Sequence, residues 1–153
     1  MLNELFLSIA MTISPVQLDC LAKNIYFESR SQSDLGQIAV SHVVLNRVRS
    51  SDYPNTICGV VHQGIKSKIS KKMIRNKCQF SWYCDGISDE PLNEVMWQKA
   101  HMMAYTSIVL HENFKDLTNG STHYHATHVN PRWARSFKKI VQIDDHIFYK
   151  EEK

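Results

Sequence analysis

Glu28 is the residue of this chain best placed to move a proton. It sits in Ile25-Tyr26-Phe27-Glu28-Ser29-Arg30, where an apolar-periodic stretch ends and a second one is about to begin. Two adjacent aromatic rings and the negative end of a helix dipole both disfavour a carboxylate anion, which shifts such a glutamate towards being protonated near neutral pH. A proton held there can be given to a leaving oxygen. Arg30 works in the opposite sense, and a Glu beside an Arg is more often a solvated surface pair.

Three other groupings compete with it. His123, His125 and His128 form His-x-His-x-x-His, and imidazoles at alternate strand positions can converge on zinc, as in a metal-dependent amidase or peptidase. Positions 123 and 125 would share a sheet face, but 128 has the opposite parity and no carboxylate stands close in sequence, so no metal or other cofactor is expected. Cys20, Cys58, Cys78 or Cys84 could pair with one of eight histidines as nucleophile and base, an unspecific signal given so many combinations. A sugar cleft is the third: Gln79, Phe80, Ser81, Trp82, Tyr124, His125, Trp133 and Tyr149 offer the flat rings and polar side chains that line carbohydrate sites. For Phe80, Trp82 and Trp133 the plain alternative is that they cap the core.

Ser14 and Pro15 make a good helix start, and Leu18, Leu21, Ala22 and Ile25 recur at helical spacing, so a first helix should end near residues 28–31. Ser33 or Asp34 can cap a second helix whose apolar residues, from Leu35 to Val48, surround most of the cylinder and predict a buried, central position. Residues 56–62 read as a short helix ending at Gly64, and 92–111 as a third long helix starting near Pro91, with its Met residues as core filler. Residues 123–129, 137–143 and 146–149 look extended, with Asp144-Asp145 turning the last pair into a hairpin. The expected class is α+β, mainly helical, with a small C-terminal antiparallel sheet.

At 153 residues and 43% apolar content, one core and one domain are expected. The net charge of +3 is unevenly spread, because Lys66, Lys68, Lys71, Lys72, Arg75 and Lys77 fall within twelve positions. That segment reads as a solvated loop or as an attractor of an anionic polymer. Four cysteines allow three full pairings, and a Cys78–Cys84 bridge would close a short loop in an oxidising compartment. Residues 1–13 form an N-terminal extension that carries Glu4 and no basic start, a poor secretory signal. No run is long enough for stable membrane insertion, and no glycine-rich phosphate loop suggests nucleotide or nucleic-acid chemistry.

With these residues in view, the chain resembles the cell wall hydrolases of the spore cortex-lytic SleB/CwlJ type. The resemblance rests on an ordered set: Tyr26-Phe27-Glu28-Ser29-Arg30, Gly36-Gln37-Ile38-Ala39-Val40, Val43-Val44-Leu45-Asn46-Arg47-Val48, Tyr53-Pro54-Asn55-Thr56, Cys78-Gln79-Phe80-Ser81-Trp82, Thr118-Asn119-Gly120, Tyr124-His125, Pro131-Arg132-Trp133 and His146-Ile147-Phe148-Tyr149. It implies a lysozyme-like catalytic domain over 14–153 that cleaves peptidoglycan glycan strands between N-acetylmuramic acid and N-acetylglucosamine, typically as a lytic transglycosylase. By the same resemblance Glu28 is the catalytic glutamate, Gln79, Ser81, Trp82, Tyr124, His125 and Tyr149 line the glycan groove, and His146 supports it. A monomer acting on the cell wall, periplasmic or extracellular, is implied; without a clear export signal, a phage-encoded enzyme made in a host cytoplasm fits.

The family's usual Glu-Ala-Arg-Gly-Glu reads here Glu28-Ser29-Arg30-Ser31-Gln32, so an amide stands where the second carboxylate is expected. Glycosidases generally use two carboxyl groups, whereas a transglycosylase can use one group twice. The departure favours 1,6-anhydro products over hydrolysis, unless Asp34 or Asp85 supplies a second acid in space. A muramidase-type hydrolase with a second acid, a non-catalytic glycan-binding module and a zinc-dependent peptidoglycan amidase or peptidase remain the alternatives.

Overall fold

The computed structural model describes residues 13–113 and 115–152, so the expected N-terminal extension lies, apart from Ile13, outside the described residues. Helix α1 is Pro15–Ser29, with Pro15 in its first turn. Ser14 holds the cap position in an extended conformation, yet its hydroxyl makes no capping bond; its carbonyl accepts from Leu18 N–H at 3.0 Å. Helix α2, Asp34–Arg49, is capped by Ser33 rather than Asp34, the Ser33 hydroxyl accepting from Gly36 N–H at 3.2 Å.

The reason α2 is apolar on every side is that it has partners on every side. Ile38, Val44 and Leu45 join Leu21, Ile25, Val60, Met103 and Ile108 in the main core, while Ala39, Val40 and Val43 pack on Phe148 of the C-terminal sheet. Short helix α3, Ile57–Val61, is capped by the Thr56 hydroxyl and stops at His62, before Gly64. Helix α4, Glu94–Glu112, starts later than Pro91 suggested, because the Asn93 side chain accepts from Met96 N–H at 3.0 Å and supplies the cap.

The lysine-rich segment is exposed, as expected, but only its middle, residues 67–72, is a loop; strands flank it. Gly64 opens strand β1, Gly64–Lys66, which pairs antiparallel with β2, Met73–Cys78, as an exposed two-stranded ribbon. Gly64 is required there, since a Cβ would lie 2.8 Å from both Cys78 Sγ and Met73 Sδ. A 3-10 turn, Ser81–Cys84, follows. Disulfides join Cys20 to Cys58 and Cys78 to Cys84.

The last third forms a three-stranded antiparallel sheet of β3, His123–Ala126, β4, Lys138–Ile143, and β5, His146–Lys150, in the order β3-β5-β4. The expected hairpin joins β4 to β5, with Asp144 at φ 49° in its turn. Register pairs Tyr124 with Phe148 and His123 with Tyr149. Alternation along β3 therefore sends Tyr124 towards α2, and His123 and His125 to the opposite face.

Candidate active site

Glu28 occupies the last turn of α1, and the sheet reaches it through a hydrogen bond: Tyr124 Oη donates to Glu28 Oε2 at 2.7 Å. The side chain is half-buried. Burial pushes its carboxyl above the usual glutamate range, while the Tyr124 hydrogen bond and the nearby Arg47 charge pull it partly back. The same environment pushes the Tyr124 phenol well above its ordinary value, chiefly by burial and then by the Glu28 charge, so Tyr124 remains the donor. With Oε2 occupied, Oε1 is the oxygen free to carry a proton.

The opposing basic group is Arg47, not Arg30. Arg30 turns its guanidinium back to the Tyr26 carbonyl at 3.1 Å and over the Tyr26 ring. Arg47, on α2, is only 5% exposed; its Nε donates to the Thr122 carbonyl at 2.7 Å, and its guanidinium lies over the Tyr53 and Phe80 rings. One of its terminal nitrogens, Nη1, is buried without a hydrogen-bond partner. Sequence reasoning passed over this residue. Its signal was a cation in the last turn of a helix that is buried around most of its surface, where a charge needs a reason to be.

The end of α1 that carries Glu28 is packed on aromatic rings. Phe27 stacks on Trp82 with ring centroids 4.9 Å apart, and Trp82 Nε1 donates to Asn24 Oδ1 at 3.0 Å, which fixes the indole in the core with 7% exposure. Phe80 is buried beside it, so both rings take the core role weighed for them. Gln79 and Ser81 alternate with these rings and are exposed. His125 and Tyr149 are on the face of the sheet opposite Tyr124. His125 Nδ1 donates to the Ala126 carbonyl at 2.8 Å, leaving Nε2 in the neutral ring to accept from the Tyr149 hydroxyl at 2.9 Å, and Trp133 packs against both rings. His146 is on the Tyr124 side, 5.0 Å from its ring. Two open cavities, about 440 and 410 Å³, flank this region. The first is lined by Tyr26, Phe27, Arg30 and Asn93 and the second by Asn46, Tyr53 and Thr122; Glu28 itself lines neither.

Among the described residues, no three His, Cys, Asp or Glu side chains converge as a metal site. His123 and His125 do share a face, but His125 has both ring nitrogens engaged and His128 lies exposed beyond the end of β3. The cysteine nucleophile reading also fails, because all four sulfurs are in disulfides. As for a second acid, Asp34 is exposed and paired with Lys99 at 2.7 Å, and Asp85 caps its own turn by accepting from Ile87 N–H. Gln32, which stands where a carboxylate was expected, bonds instead to Asp145 in the β4–β5 turn through both its amide nitrogen and its oxygen. Among the described residues no helix is long and apolar enough to cross a membrane.

A likeness to known proteins runs through this whole framework. The Cell Wall Hydrolase family matches residues 31–149, a stretch that begins just after Glu28. A spore cortex-lytic enzyme of Bacillus cereus is 46% identical over 46 residues, 30% of this chain and 18% of that protein. A spore cortex-lytic enzyme of Halalkalibacterium halodurans is 24% identical over 132 residues, 86% of this chain and 34% of that one. The chain thus spans about a third or less of these relatives. The solved catalytic domain of Bacillus cereus SleB superposes with a TM-score of 0.62 at 30% identity, covering 90% of this chain and 91% of that one. That of the germination-specific lytic transglycosylase SleB from Bacillus anthracis gives 0.64 at 28%, covering 91% and 98%. The fold is therefore the lysozyme-like one of the SleB catalytic domain, and the chain belongs to the Cell Wall Hydrolase family.

Proposed function

We propose that residues 14–153 form a catalytic unit that cleaves peptidoglycan glycan strands between N-acetylmuramic acid and N-acetylglucosamine, as a lytic transglycosylase with Glu28 its single acting carboxyl. The observation that carries this reading is the half-buried Glu28 carboxyl, pushed up by burial, held at one oxygen by Tyr124 and faced by Arg47 rather than by another carboxylate. Glu28 Oε1 gives its proton to the glycosidic oxygen of the departing N-acetylglucosamine as the bond from the muramic C1 breaks. The Tyr124 hydroxyl and the Arg47 charge then stabilise the carboxylate that remains. That carboxylate takes the proton of the muramic C6 hydroxyl, whose oxygen bonds to C1. The product is a 1,6-anhydro end; Glu28 is reprotonated and no water is consumed.

The nearby residues support this division of labour. Gln79 and Ser81 are exposed and can hydrogen-bond sugar, Trp82 holds Phe27 and hence the end of α1, and Tyr124 orients the acid. His125 and Tyr149 brace the sheet from its other face and reach sugar only at its rim. A two-carboxyl hydrolase is less well supported, since Gln32, Asp34 and Asp85 are all engaged elsewhere. We read the chain as a monomer that takes no nucleic acid and works on the wall side of the membrane, where the two disulfides are at home. Glu28→Gln keeps the shape and removes the titrating proton. It should cut muropeptide release by about 10²- to 10⁴-fold while sacculi still sediment with the protein. Release at the parent rate ends the reading, and sacculus binding without release by the parent protein points to a binding module.

A further inference from the structure

Residues 53–84 hold six Lys or Arg and no Asp or Glu, and most of that charge rides on the β1–β2 ribbon. Lys66, Lys68, Lys71, Lys72 and Lys77 are all exposed, and among the described residues none of them pairs with a carboxylate. Arg75 is the exception, spent on the Asp85 carbonyl at 2.8 Å. The lysines are not on a loose tether. Ser67 accepts from Ile69 and Ser70 N–H through its hydroxyl, Ser67 N–H donates to the Lys72 carbonyl at 2.8 Å, and Cys78 ties the ribbon's end to Cys84. Five like charges gathered on a narrow, solvent-facing ribbon repel one another and bring no internal partner, so the arrangement gains its value from something negative outside the chain.

Continuity says where that partner lies. The residue after β2 is Gln79, whose N–H donates to the Gln63 carbonyl at 2.9 Å just before β1, and two residues on comes Ser81. Trp82 then locks the segment to Asn24 and Phe27 beside Glu28. The ribbon is therefore an arm projecting from the segment that carries the exposed Gln79 and Ser81 and that Trp82 ties to the helix bearing the acid. We propose that it is a second contact with the wall polymer, its lysines taking the carboxylates of the peptide stems on the strand whose sugar bond Glu28 attacks. This rests on the peptidoglycan reading above. Ammonium groups on long, mobile stems suit carboxylates scattered along a flexible polymer, where no fixed fork geometry is demanded. Such a contact holds the enzyme on its substrate without touching the reacting atoms, and salt screens it within about 10 Å at 0.1 M.

The test uses the full chain and a variant with Lys66, Lys68, Lys71 and Lys72 each changed to Gln, its fold checked by circular dichroism and melting. Retention is measured by sedimentation with intact sacculi, in the Glu28→Gln background so that no cleavage intervenes, and turnover is measured separately in the parent background. Retention of the lysine form should weaken about tenfold between 50 and 200 mM salt. The Gln variant should bind about tenfold more weakly at low salt with a flattened salt dependence, and kcat on glycan stripped of its stems should be the same for both. Sacculi whose stem carboxylates have been amidated should not distinguish the two proteins. Equal retention on native sacculi overturns the proposal, as does a difference that survives amidation. Loss of binding to phosphatidylglycerol vesicles with sacculus binding unchanged assigns the ribbon to a membrane surface instead. Because retention is read without catalysis, failure here is distinct from failure of the cleavage reading, which only the turnover arm tests.

Discussion

Tyr124→Phe tests the electrostatics of Glu28 at the price of a single oxygen atom. The ring keeps its packing, 5.0 Å from His146 and 5.7 Å from Phe148, while the 2.7 Å hydrogen bond to Glu28 Oε2 is lost. That bond favours the anion, so removing it leaves burial less opposed and raises the Glu28 carboxyl further. A hydrogen bond to a charged acceptor is worth about 1.5–3 kcal/mol, and a tenfold change in protonation about 1.4, so the alkaline limb of kcat/KM should move up by about one to two pH units. The acid is also weaker. With the proton about half transferred in the transition state, roughly half of that energy enters the barrier and kcat at the optimum falls about 4- to 13-fold. Muropeptide release from sacculi between pH 5 and 10, with KM and kcat fitted separately, reads both effects. An alkaline limb that stays put or moves to lower pH refutes the placement of Tyr124 as the partner of the acid.

Two further outcomes concern stability. Burial, together with the charges of Arg49 and His42, lowers His111 to about 4, and burial with Arg47 lowers His123 to about 4, so both stay neutral in the fold at pH values where the unfolded chain takes up protons. Their contribution is neutral above about pH 6.5 and destabilises progressively from there down to pH 4, at most about 1.4 kcal/mol per pH unit for each group. Urea unfolding across that window should show this slope, and a His111→Gln, His123→Gln double variant should flatten it; equal slopes would contradict the cause. The Cys20–Cys58 bridge spans a sequence separation of 38, for which loop entropy gives about 4 kcal/mol, so a Cys20→Ser, Cys58→Ser variant should melt roughly 8–16 °C lower by calorimetry. An unchanged Tm would contradict that.

The helical frame was readable because burial leaves a period in the sequence. The apolar surround of α2 announced a central helix, and its start was narrowed to Ser33 or Asp34, of which Ser33 is the cap. The setting of Glu28 was legible for the same reason, as a carboxylate at a helix end bounded by aromatics. The ribbon left no such trace: β2 reads Met73, Ile74, Arg75, Asn76, Lys77, Cys78, its middle is exposed on both faces, and Asn76 at φ 59° breaks the alternation. A strand with two wet faces has no hydropathy period to detect. Arg47, and the contact of Tyr124 with Glu28, were beyond local reasoning because they depend on packing between α2, β3 and α1, far apart in the chain. Direction is what composition does not carry: strand alternation puts His125 and Tyr149 on the face opposite Tyr124. The start of α4 moved from Pro91 to Asn93 because a side-chain acceptor, not a fixed φ, ends the search for a cap.

The most direct test of a single glutamate acting twice is the origin of the oxygen at the new chain end. Sacculi digested with the purified chain in water enriched in ¹⁸O and analysed by mass spectrometry should yield muropeptides with 1,6-anhydro ends, one water lighter than reducing ends and free of label. Reducing muramic ends carrying ¹⁸O would show that water, and not the C6 hydroxyl, attacks C1, and would contradict the account.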